Sequence, residues 1–351
     1  MNVKKTYWGM AAMALGLCGT SPTNADTISD FYKGKTLNFV IGSNNGGSYD
    51  SYGRMFAAHF SRHVPGNPTI VAQNMPGASG IKSASFIYQI APKDGLTIGT
   101  FNQSMGQRQV LEPQSVQFDV AKFDWIGAMA SSVSVFITWH TSGTATLEDA
   151  KKKVTVMGAL SDDGGNAVYP MLLNQFLGTK FKVVLGYKGG NTIQLAMEQG
   201  EVDGRGSVIW SGFKAGWPQW IAEKKVNVLI QLGLAKDPDL PNVPLLIDLA
   251  KDPTQAAIFR FISTDTATGI PVAAPPGVPP DRLAALRKAF AETMDDPQLL
   301  AEAAKRNLPV RASSGDDVQK IMTSIVATPK DVVAILKQAL ADAKPDSKAT
   351  H

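Results

Sequence analysis

Four times along this chain an apolar run breaks into a glycine-rich polar loop just before a helical pattern begins, and this recurrence restricts the possible folds more than any other feature. The first copy reads Phe39-Val40-Ile41-Gly42-Ser43-Asn44-Asn45-Gly46-Gly47-Ser48-Tyr49-Asp50. A strand is predicted over 37–41, and the helix after Asp50 carries Tyr52, Met55, Phe56 and Phe60 at helical spacing on one face. Such a turn suits anions, because a helix start presents unpaired N–H groups and glycines let a ligand approach the backbone. The second copy places a strand over 70–72, the loop Asn74-Met75-Pro76-Gly77-Ala78-Ser79-Gly80 and a helix through Ile87, and a third strand follows over 96–101.

A second run of the same kind starts near Val133, with strands predicted over 135–139, 154–157 and 183–185. Ser161-Asp162-Asp163-Gly164-Gly165-Asn166 precedes a helix over 168–177, and Tyr187-Lys188-Gly189-Gly190-Asn191 precedes one over 192–199. This alternation predicts α/β architecture with parallel sheets, ligands meeting the carboxyl ends of the strands. The copies have no fixed period, so they are similar supersecondary units and not a sequence repeat. After a strand over 226–232 the chain is punctuated by Pro238, Pro241 and Pro244, and 274–280 leads into helices over 281–294, 297–307, 316–326 and 329–341.

The 351 residues suffice for two domains, and 44% hydrophobic with 18% charged residues is the composition of a globular protein. Residues 1–25 resemble a secretory signal peptide: Lys4 and Lys5, an apolar stretch from Trp8 to Cys18, and small residues at Thr23 and Ala25 before a cleavage point. The stretch is too short to span a bilayer. Cleavage after Ala25 removes the only cysteine, Cys18, and lowers the formal charge from +4 to +2, which points to no nucleic-acid or membrane partner. Leu17 stands where a lipid-attachment motif wants a small residue.

Catalytic signatures are scarce. The chain contains no His-Glu-x-x-His, Gly-x-Ser-x-Gly or Walker lysine, and a mature chain without cysteine has no thiol chemistry. His59 and His63 are spaced as metal ligands on a helix would be, but no third ligand lies nearby, and a half-buried face beside Phe60 is the plainer reading. Asp50 reads as a helix N-cap. Arg205 is either a bidentate carboxylate clamp or the ion-pair partner of Glu201 or Asp203. Trp210, Trp217 and Trp220 either line a cleft or pack between elements, the commoner fate of such rings.

Taken in order, Gly46-Gly47-Ser48-Tyr49-Asp50, Asn74 to Gly80, Pro92-Lys93-Asp94-Gly95, Tyr187-Lys188-Gly189-Gly190 and Gly200-Glu201-Val202-Asp203 resemble the substrate-binding proteins of tripartite tricarboxylate transporters, the Bug-type receptors. The resemblance covers nearly the whole mature chain. It implies a type II, Venus-flytrap periplasmic binding protein: two α/β lobes around a ligand cleft, with 26–128 and 251–343 in one lobe, 129–250 in the other and a tail over 344–351. It implies a monomeric receptor that needs no cofactor or metal, is not an enzyme, and passes a small organic carboxylate to membrane permease subunits. Carried over residue by residue, the ligand set is Ser43, Asn44, Asn45, Gly46, Gly47, Ser48 and Tyr49 with Ala78, Ser79 and Gly80. Asn102 follows the third strand, and the second lobe supplies Ser161, Asp162, Asn166, Tyr187, Lys188, Gly189, Asp203 and Arg205.

Three departures bear on the solute. Ser43-Asn44-Asn45 stands where the family commonly has a proline-containing stretch, Asp162-Asp163 where a neutral loop is usual, and Arg205 follows the family aspartate. An extra acid disfavours a citrate-like polyanion unless Arg205 offsets it. Two rival readings remain: a chemosensory receptor reporting to a sensor kinase, and a hydrolase using Ser79 or Asp162.

Overall fold

The computed structural model describes residues 24–46, 48–160 and 165–342. The expected leader through residue 23 and tail from 344 lie outside them, as do Gly47, Ser161 and Asp162 of the expected site. The expected cleavage point after Ala25 falls within the first described helix, Asn24–Tyr32. No helix among the described residues is long and apolar enough to cross a membrane.

The strands are β1 (Thr36–Ile41), β2 (Thr69–Asn74), β3 (Thr97–Thr100), β4 (Asp124–Ala128), β5 (Ser134–Trp139), β6 (Thr155–Gly158), β7 (Phe181–Val184), β8 (Gly204–Ile209), β9 (Val226–Leu232), β10 (Pro271–Ala274) and β11 (Ser313–Ser314). They form two sheets, ordered β11-β4-β10-β3-β1-β2 and β7-β6-β8-β5-β9. Each sheet with its helices is one lobe of a two-lobed α/β fold. Both sheets are mixed, which corrects the parallel expectation: β1, β2 and β3 run parallel, as do β6, β7 and β8, but β10 and β4 in one sheet and β5 and β9 in the other pair antiparallel. The antiparallel members flank the two passages of the chain between sheets, where a strand arrives from the other lobe and not through a local crossover helix.

Several elements escaped the periodicity reading, among them strands β4, β8 and β10 and the helix Pro253–Ala267. Strand β8 contains Gly204 and Gly206, a loop-like composition; yet a Cβ at Gly204 would lie 2.3 Å from the Ile137 carbonyl oxygen, so glycine is what lets β8 sit against β5. Strand β10 begins at a proline. The helix Pro253–Ala267 follows a proline-punctuated stretch, but Asp252 caps it by accepting from the Gln255 N–H at 2.8 Å, with Pro253 in its first turn.

The first lobe is centred on Phe39, Phe56, Phe60 and Phe290, whose neighbouring rings lie 4.5–5.6 Å apart. A second apolar cluster is continuous across the lobes, from Phe101 and Trp125 through Phe259 and Ile262 of the helix Pro253–Ala267 to Phe136 and Leu172. The chain crosses between sheets at 129–133 and again within 233–270, and the crossings are bonded together. Met129 N–H donates to the Ile270 carbonyl at 2.9 Å, Ser132 N–H to Thr266 at 3.2 Å, and Ser131 N–H to Arg311 at 2.9 Å. Arg311 also pairs with buried Asp237, just past β9.

His59 and His63 turn to different carboxylates. His59 Nε2 lies 2.6 Å from Glu302 and His63 Nε2 lies 2.8 Å from Asp296, which also pairs with Arg62, so the helix Ser48–Phe60 and the turn Ser61–His63 after it are fastened to the helix Pro297–Lys305 and its N-cap. Burial raises the Asp296 carboxyl, but His63, Arg62 and the Gln298 N–H outweigh it and hold it well below the usual range. His59, ahead of Arg306, lowers Glu302 in the same way. Carboxyls depressed in the folded state bind fewer protons than in the unfolded chain, so their contribution is complete above the unfolded value of about 4 and is lost as pH falls through the folded values. The melting temperature is therefore expected to fall below about pH 4, and less steeply in Asp296→Asn. A melting temperature constant through that window in both proteins would contradict this.

Candidate functional site

The first loop is organised by Asp50. It stands at the third position of the helix Ser48–Phe60, not at the N-cap, and reaches back beyond the helix start to accept from the Gly46 N–H at 2.9 Å. Its other oxygen accepts from Arg54 Nε at 2.9 Å and Asn74 Nδ2 at 2.8 Å, while Asn74 also donates to the Ser43 carbonyl. Burial alone would raise this carboxyl, but these donors lower it below the ordinary value. Asp50 is thus a buried brace under Ser43 to Ser48, of which Asn44, Asn45, Gly46 and Ser48 are exposed.

The second loop is strained. Gly77, Ala78, Ser79 and Gly80 all have positive φ, 147°, 45°, 52° and 99°, and for Ala78 and Ser79 that conformation costs about 1–2 kcal/mol each. Ser207 and Asn307, at φ 52° and 53°, are two more non-glycine residues of this kind near the lobes' facing edges. Such strain persists where the surroundings over-determine it and gathers at ligand clamps. A third loop follows β3: Asn102 Oδ1 accepts from the Ser104 N–H and hydroxyl at 2.9 and 2.8 Å, and the Gln103 N–H donates to the Tyr49 hydroxyl at 3.0 Å. Burial pushes the Tyr49 hydroxyl pKa far above its ordinary value, so it remains neutral as donor and acceptor.

In the second lobe, Asn166 Nδ2 donates to the Gly206 carbonyl at 2.7 Å, and the Asp203 carboxylate accepts from the Val156 N–H at 2.8 Å, bracing β6 against β8. Tyr187 packs on this lobe's core and Lys188 is exposed. Among the described residues Arg205 makes no ion pair with Glu201 or Asp203; its Nε has no hydrogen-bond partner, and burial lowers its pKa. Its guanidinium lies against Gly190, where an added Cβ would come within 2.3 Å of Nη1, at the start of the helix Gly190–Gln199. An unpaired cation beside the positive end of a helix dipole is an arrangement that an anion relieves.

Between the lobes lies a cleft of about 680 Å³. Of the expected residues, Ser48, Tyr49, Ser79 and Asn102 line it. Ser43, Asn44, Asn45, Gly46, Ala78 and Gly80 belong to the same loops beside it, while Asn166, Tyr187, Lys188, Gly189, Asp203 and Arg205 stand on the second lobe outside its lining. Gln103, Ser104, Arg108, Ser132, Ser211 and Asp265 line it without having been anticipated. The polar run Asn102-Gln103-Ser104 just past a strand was a readable signal, whereas Asp265 sits in the helix Pro253–Ala267, which the sequence did not announce. Trp210 and Trp220 are buried and Trp217 is partly buried, all packed within the second lobe's core.

Comparison with known proteins agrees with this architecture. The family model described as the tripartite tricarboxylate transporter family receptor, TctC, matches residues 54–338. The UPF0065 protein in gbd 5'region of Cupriavidus necator is 24% identical over 310 residues, 85% of this chain and 86% of the relative. A TctC solute binding protein from Polaromonas, solved with no ligand, is 17% identical and has a TM-score of 0.69, covering 89% of this chain and 99% of its own. MatC from Rhodopseudomonas palustris with bound malate is 17% identical, with a TM-score of 0.56 over 85% of this chain and 99% of its own.

Proposed function

Because the chain belongs to the tripartite tricarboxylate transporter receptor family, we propose that it is a periplasmic receptor that captures a small organic carboxylate between its lobes and delivers it to the permease of such a transporter. The observation that carries this reading is the interlobe cleft, walled on one side by three loops at the carboxyl ends of β1, β2 and β3 and on the other by residues of the second lobe. Loops held by Asp50, by strained backbone and by Tyr49 are pre-organised, so little ordering cost remains when a head group binds. The malate bound by MatC supports the carboxylate class. A ligand touching both lobes favours the closed arrangement by the contacts it gains only there. The described lining residues include no histidine, and capture without turnover is the reading that the receptor family supports.

The test is calorimetric titration with a panel of organic acids. One or more should bind with one-to-one stoichiometry and be recovered unchanged. Arg205→Ala should weaken that binding by about 2 kcal/mol, roughly thirty-fold, if the guanidinium makes a charge-assisted hydrogen bond. An unaltered affinity would remove Arg205 from the site; heat with no acid in the panel, or conversion of the acid, would overturn the receptor reading.

A further inference from the structure

Among the described residues, Asp265 is the one charged group of the cleft lining that has no counter-ion. It lies near the end of the helix Pro253–Ala267, in the stretch that returns the chain from the second lobe to the first. Its Oδ2 is 3.4 Å from the Tyr169 hydroxyl, and its Oδ1 is buried without a hydrogen-bond partner. The other charged residue lining the cleft, Arg108, is turned to Glu112 at 3.2 Å. Tyr49, Gln103 and Tyr169 are polar residues acting on or near Asp265, and none is a cation. Burial, outweighing Gln103 and Tyr169, raises the Asp265 carboxyl above its ordinary value.

A buried carboxyl group with an unused acceptor carries a desolvation cost that a donor can offset, and a bare carboxylate brought beside it would add repulsion in a weakly screened place. The described lining thus sets a carboxyl without a counter-ion opposite the polar donors of the first-lobe loops, a pattern complementary to a ligand that carries both an ammonium and a carboxylate. Resting on the carboxylate-receptor reading above, we propose that the solute is a zwitterionic amino-carboxylate, its ammonium group seated against Asp265 and its carboxylate against the loop donors of the first lobe. Asp265 is then a specificity-determining residue that selects amino-carboxylates over dicarboxylates of equal length.

Matched pairs test this on the full mature chain: 4-aminobutanoate against succinate, 6-aminohexanoate against adipate, and aspartate against malate, by calorimetry on wild type and Asp265→Asn. The amino member of at least one pair should bind at least tenfold more tightly than its partner in wild type. Asp265→Asn should abolish or invert that preference, with ligand-free melting reporting that the variant is folded. Dicarboxylates or malate binding in preference to every amino partner would overturn the proposal while leaving the receptor reading intact. An amino preference that survives in folded Asp265→Asn would overturn the role of Asp265, and failure of every acid, amino or not, would bring down the receptor reading itself.

Discussion

Gly269→Ala is expected to lower the unfolding free energy by about 4 kcal/mol, combining left-handed backbone strain with overpacking. Gly269 has φ +55°, and a Cβ there would lie 2.6 Å from the carbonyl carbon and oxygen of Ala130 and the nitrogen of Ser131. These are backbone atoms of the other crossing between lobes, so no rotamer change relieves the clash. The crossings would have to part, straining the bonds of Met129 to Ile270 and Ser132 to Thr266. Equilibrium urea unfolding measures the loss, and ligand affinity should fall with it because the same contact sets how the lobes meet. A loss under about 1 kcal/mol would mean that the crossings are not packed this closely.

Asp50→Ala is expected to cost about 3 kcal/mol of stability and to weaken ligand binding at least tenfold. The substitution removes the acceptor for Gly46, Asn74 and Arg54 at once, leaving the Gly46 N–H without its partner and Asn74 without half its hold on the loop. The exposed Arg54 can return to water, which limits the penalty on its side. Hydrogen exchange at the Gly46 amide separates this account from a general loosening: protection should disappear there first. Wild-type affinity in a folded Asp50→Ala protein would show that the first loop does not hold the solute.

The α/β class was legible because periodicity switches so clearly between strand and helix at the four glycine loops, and the predicted strand over 226–232 coincides with β9; the two-lobed arrangement was implied by the order of the loop motifs, through the family they resemble. What could not be read was set by contacts far apart in sequence. Strand β8 looks like a loop until its glycines are seen against β5, and β10 is a strand because it inserts between β3 and β4. At the site, Tyr49, Ser79 and Asn102 could be anticipated from their loops. Asp265 could not, because the helix carrying it was hidden by its proline-rich approach and its cavity forms only where both lobes meet. The cap reading of Asp50 had the right chemistry at the wrong position: the carboxylate does accept a backbone N–H beside the helix start, but from the third helical residue and from Gly46 in the preceding loop.

The central claim is that the cleft between the lobes captures one small organic acid without transforming it. Native mass spectrometry of the full mature chain recovered from its own host tests it most directly, with the bound species identified after release. The account predicts one small carboxylate-bearing molecule per chain, lost from Asp50→Ala protein prepared in the same way. A retained molecule that has no carboxyl group would contradict it, and so would a chain that retains nothing and takes up no acid on addition.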